Sequence, residues 1–225
     1  MLKTILIAIG IVVVVAGGWY LIDSNSFTSI TQPATNSADN VAVVNGEAIS
    51  RADLEVLKTQ TAAQQGVDLT TLDVATMTAL ETQIVEDLIS QALIRQAVEA
   101  AGIQVPTDQL DAQLADIRAQ FGEESEYQAA LVAEGLTEVQ LRERISAGMA
   151  TDIYLQQELD FTTLSASDEE IQATYSQALT ENPQIPPLEE VRDQVQGAVI
   201  QQKQQAMIGQ LIQSLRQQAQ VEILL

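Results

Sequence analysis

Carboxylates are the side chains of this sequence best suited to chemistry, because its 225 residues include no histidine and no cysteine. That absence removes thiolate nucleophiles, imidazole bases and the common zinc sites. Glu123, Glu124 and Glu126 cluster at a predicted helix junction, but they lack the ligand spacing of a calcium loop. We therefore expect no metal, no cofactor and no catalytic residue, although spacing alone leaves paired carboxylates of the glycosidase type open.

Apolar side chains offer a different chemistry, the binding of hydrophobic partners. Flexible thioethers suit adaptable binding surfaces, and aromatic side chains near helix ends suit the same role. At helical spacing, however, such residues are more often part of a core. The predicted lining of a peptide-binding groove comprises Met77, Ile84, Leu88, Phe121, Tyr127, Met149, Tyr154 and Met207.

The charge balance excludes one large class of partners. The formal net charge is −21, and the 10 basic residues are scattered without forming a stripe. Such a surface repels a phosphate backbone, so nucleic acid is not expected as a partner. The simplest interpretation is a solvated surface that Asp and Glu keep soluble.

The segment from Ile5 to Ile22 is apolar and uncharged. At ~1.5 Å per residue it would cover ~27 Å as a helix, close to the hydrocarbon thickness of a bilayer. Lys3 precedes it, and Trp19 and Tyr20 lie where interfacial aromatics are common. We therefore predict a single-pass anchor over residues 1–22 with its N-terminus in the cytoplasm. A cleaved signal peptide is the alternative, although no clean cleavage motif follows the apolar run.

Residues 23–40 are rich in Ser, Thr and Asn and are predicted to be a flexible linker. The remainder, residues 41–225, is predicted to be one mostly helical domain. Its fold class is all-α, with a small two-stranded pairing between Val41–Val44 and the segment from Val221 to Leu225. Apolar spacing and capping residues predict helices over 50–65, 73–101, 107–121, 125–134, 137–159, 167–180 and 188–219.

Several segments from Val41 onward follow one another in a recognisable order. They are VAVVNGEAISRADLE, LISQALIRQAVEAAGIQV, LVAEGLTEVQLRERI, SDEEIQATY and a long closing segment that begins LEEVRDQVQ. The most characteristic motif is the turn of Val44, Asn45, Gly46 and Ile49. In this order the segments resemble the chaperone module of the SurA, PpiD and PrsA group of extracytoplasmic folding factors.

The resemblance implies a helical cradle, closed by the last helix and a strand pair, that holds unfolded or partly folded polypeptides. Members of the PpiD kind are also anchored by one N-terminal helix. In the usual family arrangement a parvulin prolyl-isomerase domain precedes the final helix, whereas here only residues 176–186 occupy that place. Parvulin sites use histidines, which this chain lacks, so the resemblance does not extend to isomerase activity.

These observations predict a non-enzymatic chaperone anchored in the inner membrane, with its helical domain in the periplasm. Its partners would be unfolded or newly translocated polypeptides, and its oligomeric state is left open. One alternative is an envelope scaffold that docks a single specific partner. Another is a prolyl isomerase that acts through an unrecognised site.

Overall fold

The computed structural model describes residues 39–225, in which helices predominate over a small sheet. The strands are β1 (Asn40–Val44), β2 (Glu47–Ser50) and β3 (Val221–Ile223), and the helices are α1 (Arg51–Gln65), α2 (Val74–Ala100), α3 (Thr107–Ala119), α4 (Glu124–Ala133), α5 (Glu138–Glu158), α6 (Asp168–Glu181) and α7 (Leu188–Gln218). The predicted anchor over residues 1–22 and nearly all of the predicted linker lie outside the described residues. Within residues 39–225, no helix combines the length and apolarity needed to cross a membrane.

The helix ends follow local capping signals closely. Ser50 with Asp53, and Ser167 with Glu170, form reciprocal capping boxes at the starts of α1 and α6. Before α5, the hydroxyl oxygen of Thr137 accepts a hydrogen bond from the backbone of Gln140 at 3.2 Å. One cap that the sequence predicts, Thr107 before the third helix, is wrong. Thr107 is the first residue of α3, because Pro106 occupies the capping position without a side-chain hydrogen bond.

The sheet has three strands rather than the predicted two. The predicted pairing is confirmed, since Val44 lies opposite Val221 and Ala42 opposite Ile223 in an antiparallel register. The additional strand, β2, pairs with the other edge of β1, which gives the order β2–β1–β3. It arises because the turn after β1 reverses the chain within two residues, so the stretch before α1 lies along β1.

Two compact units divide the described residues, and α5 and α7 each contribute to both. The first unit comprises residues 39–154 and 212–225. Its core joins β1, Leu54 of α1 and the middle of α2, and Leu215, Ala219 and Val221 pack against it. The buried positions of α2 extend around more than half of the helix circumference, as expected for a central helix.

The second unit comprises residues 155–211 and has a smaller core. Ile171 and Tyr175 of α6, with Val199 and Ile208 of α7, are its buried apolar residues. The hydroxyl of Tyr175 donates a hydrogen bond to the carbonyl of Pro186 at 2.9 Å, which fixes the α6–α7 connection. Within the described part of the chain, residues 182–187 are all that connects these two helices.

Candidate functional site

The turn that carries the family resemblance is built from two left-handed residues. Asn45 has φ 52° and Gly46 has φ 88°, and positive values at both positions produce the tight hairpin turn between β1 and β2. Asparagine and glycine adopt this conformation more readily than other residues. On either side, Val44 and Ile49 are buried and hold the hairpin to the core.

The side chain of Asn45 also connects distant parts of the first unit. Its Nδ2 donates to Oε1 of Gln96 on α2 at 2.7 Å. Its Oδ1 accepts from the backbone amide of Gln220 at 2.8 Å, while its own amide donates to the Gln220 carbonyl at 2.8 Å. One asparagine therefore joins the hairpin, the central helix and the chain entering β3.

A second group of contacts anchors β2 to α2. Nε2 of Gln96 donates to the Val44 carbonyl at 3.0 Å and to Oε2 of Glu47 at 2.8 Å. Glu47 also forms an ion pair with Arg95, which contacts Glu99 at 3.3 Å. Sequence reasoning missed Gln96, Arg95 and Gln220, because polar residues at these spacings give no signal without the hairpin beside them. These contacts give the turn a structural role, because they hold the β1–β2 hairpin to α2.

The predicted groove residues on α2 lie at different depths. Ile84 and Leu88 are buried within the core cluster around β1, so they present little surface to a ligand. Met77 is half-buried, and Val74 at the start of the helix is largely exposed. The exposed apolar surface of α2 is therefore at its N-terminal end.

Phe121 and Tyr127 meet at the α3–α4 junction. Their ring centroids are 5.6 Å apart in an edge-to-face arrangement, and the guanidinium of Arg118 lies 5.1 Å from the Tyr127 centroid. Arg118 also forms ion pairs with Glu124 and Glu138, which fixes the junction. Burial raises the pKa of the Tyr127 hydroxyl above its usual value. This aromatic pair is packed and structural.

Two of the three carboxylates in the acidic cluster at this junction have internal partners. Glu124 pairs with Arg118, and Oε2 of Glu126 accepts from the Gly122 amide at 3.1 Å. Among residues 39–225, no group of acidic side chains is placed to hold a metal ion.

The remaining predicted groove residues are divided between the two units. Met149 is half-buried and Tyr154 is buried on α5, within the first unit. Met207 is half-buried on α7, within the second unit. The structure thus brings Phe121 and Tyr127 together and places Ile84 and Leu88 in one core. A single groove lined by all eight residues stays a prediction.

The most exposed large apolar side chains lie elsewhere. Val74 is 83% exposed, Val132 of α4 is 78% and Val139 of α5 is 66%. At the end of the chain, Ile223 is 43% exposed and Leu225 is 51%. These residues offer contacts to apolar partners, and helical periodicity did not single them out.

Most cationic side chains of the described residues form ion pairs with carboxylates. Ion pairs involve Lys58, Arg95, Arg118, Arg142, Arg192, Lys203 and Arg216. The sequence has 31 acidic and 10 basic residues, so many carboxylates must lack a cationic partner. The electrostatic potential at the surface is therefore negative.

Among the carboxyls of residues 39–225, that of Asp152 on α5 has the pKa that departs most from its usual value. Desolvation by burial raises its pKa to about 6. Such a group exchanges protons near neutral pH, but general acid–base catalysis also needs a substrate position within hydrogen-bond reach. Its raised pKa therefore bears on the stability of the fold rather than on catalysis.

Comparison with known families identifies the first part of the chain. The family model of the SurA-like N-terminal domain matches residues 1–155, which is more than half of the sequence. The chain belongs to this family. The SurA-like match ends at the boundary between the two units on α5, so it does not include α6, α7 or β3. No curated protein matches the sequence. Membership indicates a chaperone-like role in protein folding.

Proposed function

We propose that this SurA-like protein is a membrane-anchored, extracytoplasmic holdase for unfolded or newly translocated polypeptides. The observation that carries the proposal is the SurA-like match over residues 1–155. Exposed apolar side chains at Val74, Val132 and Val139 support it, because unfolded chains expose apolar side chains that such positions can contact. The excess of carboxylates keeps an apolar surface of this kind soluble.

An aggregation assay tests the holdase activity. The fragment 39–225 should suppress the thermal aggregation of citrate synthase when present in stoichiometric excess. A variant with Val74, Val132 and Val139 all changed to Ser should suppress it less, while an Arg51→Ala variant serves as a surface control. No suppression by the unchanged fragment at any ratio would remove the holdase proposal.

The anchoring and location are part of the same proposal. The apolar segment from Ile5 to Ile22 and Lys3 before it support a single-pass anchor with the remainder in the periplasm. In bacterial cells the full chain should stay with the inner membrane after alkaline extraction. A C-terminal tag should be digested by protease only after the outer membrane is opened. Release by alkali, or protection of the tag in spheroplasts, would contradict this location.

We also propose that the protein does not catalyse prolyl isomerisation. The support is the absence of histidine from the sequence and the short α6–α7 connection of residues 182–187. In a peptide isomerisation assay, the protein should leave the uncatalysed rate unchanged, with a parvulin as positive control. Acceleration proportional to protein concentration would refute this part of the proposal.

A scaffold that docks one envelope partner is the second candidate. The observation in its favour is the burial of Ile84, Leu88 and Tyr127, which leaves little open surface at these groove positions. Crosslinking in cells followed by affinity purification separates the two candidates. One stoichiometric partner with no binding to unfolded model clients would favour the scaffold, whereas many substoichiometric partners would favour the holdase.

A further inference from the structure

One edge of the sheet is formed by β3, because the strand order is β2–β1–β3. Two backbone hydrogen bonds define how this strand is oriented. The amide of Asn45 donates to the Gln220 carbonyl at 2.8 Å, and the amide of Leu224 donates to the Val41 carbonyl at 2.8 Å. Since backbone groups alternate in direction along a strand, Glu222, midway between Gln220 and Leu224, also faces β1.

The same alternation turns the backbone of Val221 and Ile223 away from β1. Their N–H and C=O groups have no hydrogen-bond partner among the described residues. A row of unpaired amides and carbonyls on an edge strand is a template for another extended backbone. The edge therefore carries the hydrogen-bonding pattern that an extended polypeptide complements.

Side chains at this edge favour an apolar strand on one face. Val221 packs against the core, and Ala42 and Val44, opposite Ile223 and Val221 in β1, are fully buried. Ile223 on the same face is only partly covered, at 43% exposure. An added strand with apolar residues on this face would continue the core and cover Ile223.

The opposite face of β3 favours positive charge. Glu222 points to this face, is exposed and has no ion pair among the residues described. The cations of the first unit are largely paired with other carboxylates, as with Arg95 and Glu47 or Arg216 and Glu86. Opposite charges on neighbouring strands attract, so a Lys or Arg beside Glu222 would be favoured.

We propose that the free edge of β3 binds an extended segment of an unfolded polypeptide as a fourth, antiparallel strand. The preferred segment alternates apolar residues with Lys or Arg, so that its apolar side chains lie beside Ile223 and a basic side chain lies beside Glu222. This inference rests on the proposed function and defines the chemical class of its clients.

Backbone methylation of a probe peptide tests the hydrogen bonds directly. In an antiparallel addition, the residue opposite Ile223 directs its own N–H towards β3. A fluorescent peptide of alternating Lys and Val should therefore bind the full chain in lipid nanodiscs. N-methylation of its Val residues should weaken binding at least about tenfold, whereas N-methylation of its Lys residues should leave it within about twofold. Equal binding of the Val-methylated and unmodified peptides would overturn the proposal.

Protein variants give a second, independent readout. Ile223→Pro removes an outward N–H without removing a hydrogen bond to β1, and should weaken peptide binding about tenfold. Val67→Ala, at an exposed apolar residue that follows α1, is the matched control and should leave the affinity unchanged. If Ile223→Pro lowers the unfolding midpoint, the methylated peptides decide, because they leave the protein intact.

The remaining outcomes separate this inference from the proposed function. Retained binding of an unfolded client, together with insensitivity to Val methylation and to Ile223→Pro, would overturn the edge proposal and leave the holdase standing. No binding of any client by the unchanged protein would overturn both. Concentration-dependent self-association that Ile223→Pro abolishes would show that a second copy occupies the edge, which would also overturn the proposal.

Discussion

At the scale of single residues, the side chain of Asn45 holds three parts of the first unit together. It bonds to Gln96 and to the backbone of Gln220 while its own backbone adopts a left-handed conformation. Substitution can separate these two contributions, because glycine accepts the left-handed conformation and alanine does not.

We predict that Asn45→Gly lowers the free energy of unfolding by about 1–2 kcal/mol through loss of the side-chain hydrogen bonds. Asn45→Ala should lose about 1 kcal/mol more, because it adds the strain of positive φ. Urea denaturation of the fragment 39–225, followed by circular dichroism, measures both. Equal stabilities for the two variants would show that the left-handed backbone conformation contributes nothing. Wild-type stability for both would refute the structural role of the Asn45 side-chain hydrogen bonds.

A pH dependence follows from Asp152. Its pKa is about 6 in the folded protein because burial disfavours the charged form, and about 4 in an unfolded chain. Between these values the folded state binds more protons than the unfolded state, so stability falls as pH rises from about 4 to 6. Above pH 6 the full penalty remains.

Asp152→Asn should therefore stabilise the protein by about 1–2 kcal/mol at pH 7 and have little effect at about pH 3, where the carboxyl is largely protonated in both states. Denaturant midpoints measured across this range test the prediction. Glu143→Gln, at an exposed position on the same helix, is a suitable control for the loss of one surface charge. Destabilisation by Asp152→Asn at pH 7 would mean that the ionised carboxylate makes a favourable contact.

At the scale of secondary structure, Lys58 couples α1 to α2. Its ammonium lies 2.7 Å from Glu55 and 2.8 Å from Glu81, and its side chain is only 11% exposed. Hydrogen bonds to these two carboxylates raise its pKa above the usual value, so it is charged at neutral pH. An ion pair shielded from water is screened less by salt than one on the open surface.

A double-mutant cycle between Lys58→Met and Glu81→Gln should give a coupling energy of about 1 kcal/mol. The matched control is the pair Arg192–Asp168, whose side chains are 44% and 84% exposed and whose coupling should be below about 0.5 kcal/mol. Chemical denaturation supplies all the stabilities. Equal coupling energies for the two pairs would show that burial does not strengthen the α1–α2 contact.

Local signals explain why the helices were predictable and the groove was not. Ser50, Gly66 and Ser167 mark helix ends through bonds within one turn, which the sequence contains in full. Strand β2 was missed because its four residues, the last of which is the helix cap Ser50, carry little periodicity of their own. Its existence depends on the reversal at Asn45 and on pairing with β1.

The depth of an apolar residue depends on neighbours that are distant in sequence. Ile84, Leu88 and Met77 share one stripe of α2, yet the first two are buried beside β1 and the third is half-buried. Helical spacing places these residues on one face but contains no information on where along the helix the sheet lies. The unpaired edge of β3 is likewise a property of strand order and has no sequence motif.

At the scale of the whole molecule, net charge and apolar surface make separate contributions to client binding, with different ranges and different salt dependence. The net charge of −21, with most described cations in ion pairs, repels acidic polypeptides at long range. Apolar contacts act at short range and are not weakened by moderate salt. Salt therefore separates the two contributions.

We predict that two unfolded clients with the same apolar content and opposite net charge differ in affinity at low salt, with the basic client binding more tightly. The difference should shrink to within about twofold at about 0.5 M NaCl, where the Debye length is only a few ångströms. The affinity of the acidic client should rise with salt as repulsion is screened, while that of the basic client falls only to the shared apolar level. Fluorescence anisotropy of the labelled clients measures this. If binding of both clients disappears at high salt, charge pairing rather than apolar contact holds them, because screening removes only the charge contribution.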